Sequence, residues 1–172
     1  MSGEVRLRGV VDADRDLIRA IEDEPAGNAM AQVFARTDAQ LAVHWDRVLN
    51  DPAVLTFVIE YEQAGDWCSV GFVTSFVTPV PLASDRDQGD ARRRCIGYRI
   101  GQAWWGRGIA TRALRLFLED SMFERPLWAI VAATNDASLR VLSKCGFDVV
   151  ARRWSAGSER YPAGNEVVFR LG

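Results

Sequence analysis

The stretch YRIGQAWWGRGIATRALRLFLED, Tyr98–Asp120, sets two tryptophans and two glycines between a strand-like run and a helix. From Ile109 onward, Ala110, Ala113, Leu114, Phe117 and Leu118 recur at the spacing of an amphipathic helix, so Gly106 and Gly108 sit at its N-terminus. The first helical turn leaves N–H groups unpaired and carries the positive end of the macrodipole. A phosphate is its natural guest. Without Cβ atoms, Gly106 and Gly108 let the chain turn sharply and bring amides close to oxygen atoms, while Arg107 adds a charge-assisted contact. Trp104 and Trp105 read as packing residues.

Two phosphate-binding patterns fail here. A P-loop needs GxxxxGK[ST], and no lysine follows Gly106 or Gly108. A dinucleotide turn needs a third glycine where Thr111 stands, and an acidic residue where the next strand ends in Thr134 and Asn135.

Outward from this turn, EVRLRGVV alternates as a strand, and ADRDLIRAIED carries the helical stripe Leu17, Ile18, Ile21. Thr37 and Gln40 form a capping box ahead of a helix with Leu41, Val48 and Leu49 on one side, ending before Pro52. AVLTFVIEYE and CSVGFVTSFV read as a hairpin joined through QAGDW. The span from Thr78 to Asp90 reads as a loop, and RRRCIGYRI as a strand after it. PLWAIVAAT is apolar enough for a central strand buried on both faces. Asn135 or Asp136 caps the next helix, Gly146 ends it, and FDVVARRW and NEVVFRL close the chain as strands.

With 172 residues, 48% of them hydrophobic, the chain suits one domain over 1–172. No apolar run approaches the roughly 20 residues of a membrane helix, and the first residues lack a signal-peptide core, so a soluble, cytoplasmic protein without membrane contact is expected. A net charge of −2 gives no reason to expect nucleic acid. Cys68, Cys95 and Cys145 are too scattered for a metal site or disulfide framework, and no metal is expected.

The string IGYRIGQAWWGRGIATRAL, followed after a strand by NDASLRVLSKCGFDVV, resembles the GNAT acetyltransferases, in particular the branch that acetylates protein N-termini, including those of ribosomal proteins. The resemblance is close over Ile96–Val150 and covers 26–90 only in the order of elements. It implies an α/β (α+β) fold: a mixed, mostly antiparallel sheet of six to seven strands with a splayed parallel central pair, flanked by about four helices. Acetyl-CoA would enter between the splayed strands. By analogy, main-chain groups of Tyr98, Arg99 and Ile100 pair with the pantetheine. The segment Trp105, Gly106, Arg107, Gly108, Ile109, Ala110 and Thr111 holds the pyrophosphate, and Asn135 and Ser138 contact the pantetheine and thiol region. Arg112 and Ser143 stand where the family often carries Glu, and Trp105 where it often has Gln or Arg.

In such enzymes an amine attacks the thioester directly and must be neutral. At pH 7 about one lysine amine in 2,500 but about one α-amine in ten is neutral, so an N-terminal acceptor needs less help. Glu60, or Glu62 beside it, is the first candidate base, with Asp85, Asp87 and Asp90 as competitors. Ser138 is the candidate donor to the departing thiolate. His44 lies far from the motif in sequence and reads as a surface or packing residue.

The expected activity is acetyl-CoA-dependent N-acetylation of a primary amine: a protein N-terminus, an aminoglycoside, a polyamine or another small amine. The alternative is a CoA-binding regulatory or scaffold protein without catalysis. The acidic loop at 85–90 leans toward a cationic acceptor, and strand edges with exposed aromatics permit a homodimer.

Overall fold

Side-chain alternation along seven runs builds a single sheet, and helical stripes cover both of its faces. The computed structural model describes residues 3–80, 82, 91–119 and 123–172. The acidic loop residues Asp85, Asp87 and Asp90 lie outside them. The strands are β1 (Val5–Gly9), β2 (Leu55–Gln63), β3 (Asp66–Pro79), β4 (Arg92–Ile100), β5 (Leu127–Ala132), β6 (Asp148–Ser155) and β7 (Gly164–Leu171). Their order in the sheet is β1-β2-β3-β4-β5-β7-β6, antiparallel except where β4 meets β5. The helices are α1 (Arg15–Glu22), α2 (Pro25–Ala31), α3 (Asp38–Asn50), α4 (Ile109–Glu119) and α5 (Asp136–Lys144).

Local chemistry fixes most boundaries. The Thr37 hydroxyl accepts from Gln40 N–H while the Gln40 side chain accepts from Thr37 N–H, the reciprocal cap expected of this pair. Ala64 and Gly65, with φ of 55° and 92°, turn the β2–β3 hairpin. Gly146 has φ of 85° and ends α5 in the left-handed region. The helix α2 was not anticipated: PAGNAMA has no apolar period, and only Pro25 at its first position marks a start.

One face of the sheet packs on α4 and α5 through Ile59, Val73, Leu114, Phe117, Leu142 and Phe169. The other packs on α1 and α3 through Ile18, Ile21, Trp45, Val48 and Phe72. In α3 the buried side is Leu41, Trp45 and Val48, whereas Leu49, expected inside, is exposed. Trp45 takes the core position because its indole N–H finds a partner in Asp12 Oδ1 at 3.0 Å. A separate cluster of Val80, Cys95, Trp128 and Val168 closes the base of β3, β4, β5 and β7.

The parallel pair departs from regular pairing. β4 and β5 meet at one register pair, Cys95 with Trp128, although β4 stays zipped to β3 along its whole length, out to Ile100 opposite Gly71. Beyond Cys95 the two strands part. In β5, Leu127, Trp128 and Ala129 are buried, but Ile130, Val131 and Ala132 are only half-buried, where the apolar run suggested burial throughout.

Leu114 is fully buried in the middle of α4, so Leu114→Ala should cost about 2–5 kcal/mol of stability, read as a shift in the urea midpoint. A loss below about 1 kcal/mol would mean α4 is not anchored by this contact.

Candidate active site

The glycine turn leads into α4 as the spacing suggested. Gly106 and Gly108 have φ of 77° and 69°, and nothing lies within 4 Å of where their Cβ atoms would be, so the space in front of the turn is open. The first main-chain bond of the helix start runs from Arg112 N–H to the Gly108 carbonyl at 3.3 Å. The amides of Ile109, Ala110 and Thr111 precede it and have the unpaired character of a helix N-terminus.

Arg112, read from sequence only as a departure from a family pattern, is the strut of this turn. Its guanidinium donates to the Gly3 carbonyl at 2.6 Å and the Arg107 carbonyl at 3.1 Å, with a longer contact to the Gly108 carbonyl at 3.5 Å. Fixing these carbonyls on one side orients the amides on the other. The Arg107 side chain is committed elsewhere, to Gln63 Oε1 at 3.1 Å and to the Trp104 ring. Trp105 donates its indole N–H to the Ile100 carbonyl at 2.7 Å, tying the turn to the end of β4.

Tyr98 points toward the α4 and α5 side, packed against that core, and its hydroxyl lies 3.5 Å from the Ser138 carbonyl, at the outer limit of a hydrogen bond. Burial pushes the Tyr98 phenol up to about 12, so it stays protonated at neutral pH. Asn135 caps α5, its Oδ1 accepting from Ser138 N–H at 3.1 Å. Tyr98, Asn135 and Ser138 therefore lie together beside the strand gap.

Glu60 is elsewhere. Its carboxylate accepts from Arg6 Nε at 2.6 Å and Arg8 Nε at 3.0 Å on the β1–β2 edge. Burial alone would raise its pKa, but the two arginines outweigh that and hold it below the usual carboxylate range. Neither Glu60 nor Glu62 walls the cavity that abuts the strand gap.

On the opposite face, a cavity of about 530 Å³ opens between the cluster under α1 and α3 and the one around Cys95, walled by Gly97, Tyr98 and Arg99 of β4 and by Ile130 and Ala132 of β5. It therefore abuts both lips of the gap. Titratable side chains line it: Glu22 of α1, Arg36 before α3, His44 and Arg47 of α3, Arg160 before β7 and Glu166 of β7. Arg36 donates to Glu22 Oε1, and His44 Nε2 lies 3.8 Å from the same oxygen. Burial first, and then Arg36, push the His44 imidazole down to about 4, against the pull of Glu22. Sequence separation hid this placement of His44. The Arg99 side chain also enters the cavity, donating from Nη1 to Asn28 Oδ1 of α2 at 2.9 Å.

The match to known proteins follows this geometry. The family model for the acetyltransferase (GNAT) domain matches residues 4–148. The chain belongs to the GNAT acetyltransferase family. No curated protein matches it. Among solved structures it is similar to the spermidine N-acetyltransferase of Vibrio cholerae in complex with CoA and spermine, with 14% identity, 97% and 94% of the two chains covered and a TM-score of 0.75. It is also similar to an aminoglycoside acetyltransferase in complex with coenzyme A, with 17% identity, 98% and 94% coverage and a TM-score of 0.70. A third is a putative acetyltransferase of Salmonella typhimurium with acetyl-CoA, at 20% identity, 97% and 92% coverage and a TM-score of 0.64. At these identities the likeness is one of fold.

Two outcomes test the site. Arg112→Ala should weaken coenzyme A binding about tenfold by calorimetry, by releasing the carbonyls whose fixing orients the amides; unchanged binding would mean the turn holds its own shape. The unfolded chain protonates His44 near pH 6.5 and the folded chain only near 4, so stability should fall as pH drops through that window, by about 3 kcal/mol from this residue. His44→Gln should flatten that part of the denaturation profile.

Proposed function

We propose that the chain transfers the acetyl group of acetyl-CoA to a primary amine by direct attack. The observation that carries this reading is the parting of β4 and β5 after one register pair, with unpaired helix amides at one end of the gap and a cavity against both its lips. The amides of Gly106 to Thr111 would hold the pyrophosphate, and main-chain groups around Tyr98, Arg99 and Ile100 would take the pantetheine, the Ile100 carbonyl being shared with the Trp105 indole N–H. The open space before Gly106 and Gly108 fits such a group.

When bound, acetyl-CoA supplies an activated acyl group as a thioester. The amine nitrogen, reaching it from the cavity side, forms the new C–N bond as the C–S bond breaks; one proton leaves nitrogen and the thiolate gains one. Ser138 would donate a hydrogen bond to the developing thiolate, and the neutral Tyr98 hydroxyl lies 3.5 Å from the Ser138 carbonyl. With its Oδ1 engaged by Ser138 N–H, Asn135 keeps its Nδ2 for the pantetheine arm. His44, uncharged at neutral pH, and Glu22 wall the cavity where the amine must lose its proton; Glu60 is held away by two arginines.

A thiol-release assay with acetyl-CoA and an amine panel tests this reading directly. Ser138→Ala should lower turnover about tenfold or more and leave acetyl-CoA affinity within about threefold. Coenzyme A binding without thiol release on any amine would instead leave a binding protein.

A further inference from the structure

The cavity against the strand gap carries the wrong charge for the polyamine and aminoglycoside that the similar enzymes are named for. Among the described residues its walls include Arg36, Arg47, Arg99 and Arg160 against Glu22 and Glu166. Two of these are neutralised outside the group: Arg47 pairs with Asp51 at 3.6 Å, and Glu166 with Arg153 at 3.2 Å. Glu22 is then the wall carboxylate facing Arg36, Arg99 and Arg160, with Glu24 also acting on Arg99 from outside the wall, and His44 adds no positive charge at neutral pH. Among the described residues one positive charge remains in excess.

The hydrogen-bond inventory points the same way. Arg36 is satisfied on Glu22 Oε1. Arg99 uses Nη1 on Asn28, but its Nη2 is buried without a partner. Arg160 holds Nη2 at 3.9 Å from Glu22 Oε1, and its Nη1 is buried without a partner too. Glu22 Oε2 is also unpartnered, yet turning it to one guanidinium would leave the other wanting and the charge unbalanced. Buried donors on a cation are costly to leave unmade.

Both arginines are held in place. Gly27 of α2 makes room for the Arg99 guanidinium: a Cβ there would stand 2.7 Å from Nη2. The Arg160 carbonyl accepts from Phe34 N–H at 2.8 Å, tying that loop to the segment after α2. Planar guanidinium forks in this setting match the oxygens of a carboxylate or phosphate, whereas a polycation would meet like charge in a poorly solvated space.

Taking the cavity as the acceptor's site, which rests on the acetyl-transfer reading above, we infer that the accepted amine carries an oxyanion, a carboxylate or a phosphate, bound by Arg99 and Arg160. Its amine end faces the strand gap. Its anionic end lies among the arginines.

The test uses matched amines on the whole protein: an α-amino acid and its carboxamide, O-phosphoethanolamine and ethanolamine, and spermidine. Each is titrated by calorimetry with and without saturating coenzyme A and assayed for thiol release from acetyl-CoA. The anionic member of at least one pair should bind about ten- to a hundredfold more tightly than its neutral partner, the worth of one charge-assisted hydrogen bond, and the pair that shows it separates carboxylate from phosphate. Arg160→Gln should erase that preference and Arg160→Lys restore part of it, with coenzyme A affinity in the same samples reporting that the variants are folded. Equal binding within both pairs, or tighter binding of spermidine, overturns the inference, and the wild-type comparison decides this even where a variant fails to fold. Absence of heat with coenzyme A would defeat the acetyl-transfer reading instead, while the titrations without cofactor would still decide the preference for the anion.

Discussion

The structure depends on how little β4 and β5 share. A regular parallel ladder between them would leave no room for a ligand, and complete separation would split the sheet in two. The single pair Cys95–Trp128 does neither. It is held by apolar packing beneath, from Val80 and Val168, and by the unbroken pairing of β4 with β3 and of β5 with β7 on either side. The strands can diverge because each already has a full partner on its other edge. Strand groups left facing the gap would be a liability anywhere else in a sheet. Here they border the glycine turn on one side and the cavity on the other.

Around this gap the two faces have different tasks. The α4 and α5 side presents helix beginnings, one at the glycine turn and one at Asn135, and brings up Tyr98 and Ser138. The α1 to α3 side presents a cavity ringed by arginines. Successive residues of one strand serve both: Tyr98 turns to the first face and Arg99 to the second, a direct result of the two-residue period of a β-strand. A strand at the gap therefore presents one side chain to each face.

The legible parts of this architecture were local ones. Gly106, Gly108, the Asn135 cap, Gly146, the Thr37 and Gln40 box and the Ala64–Gly65 hairpin all act within a few residues, so sequence spacing exposes them. Features made by distant residues stayed hidden. The strut from Arg112 to Gly3 spans most of the chain, and the meeting of Glu22, Arg36, His44, Arg99 and Arg160 joins segments that share no pattern. The apolar run in β5 suggested burial on both faces, and its outer half is less buried because its neighbour veers off. Glu60 looked catalytic as a carboxylate at a strand end, but the arginines that clamp it come from β1, across the sheet edge.

Cys95 sits at the vertex where the strands meet, and burial pushes its thiol up to about 12. At neutral pH almost none of it is thiolate, the form that oxidants and electrophiles attack. The joint is thus chemically quiet, its sulfur both buried and protonated.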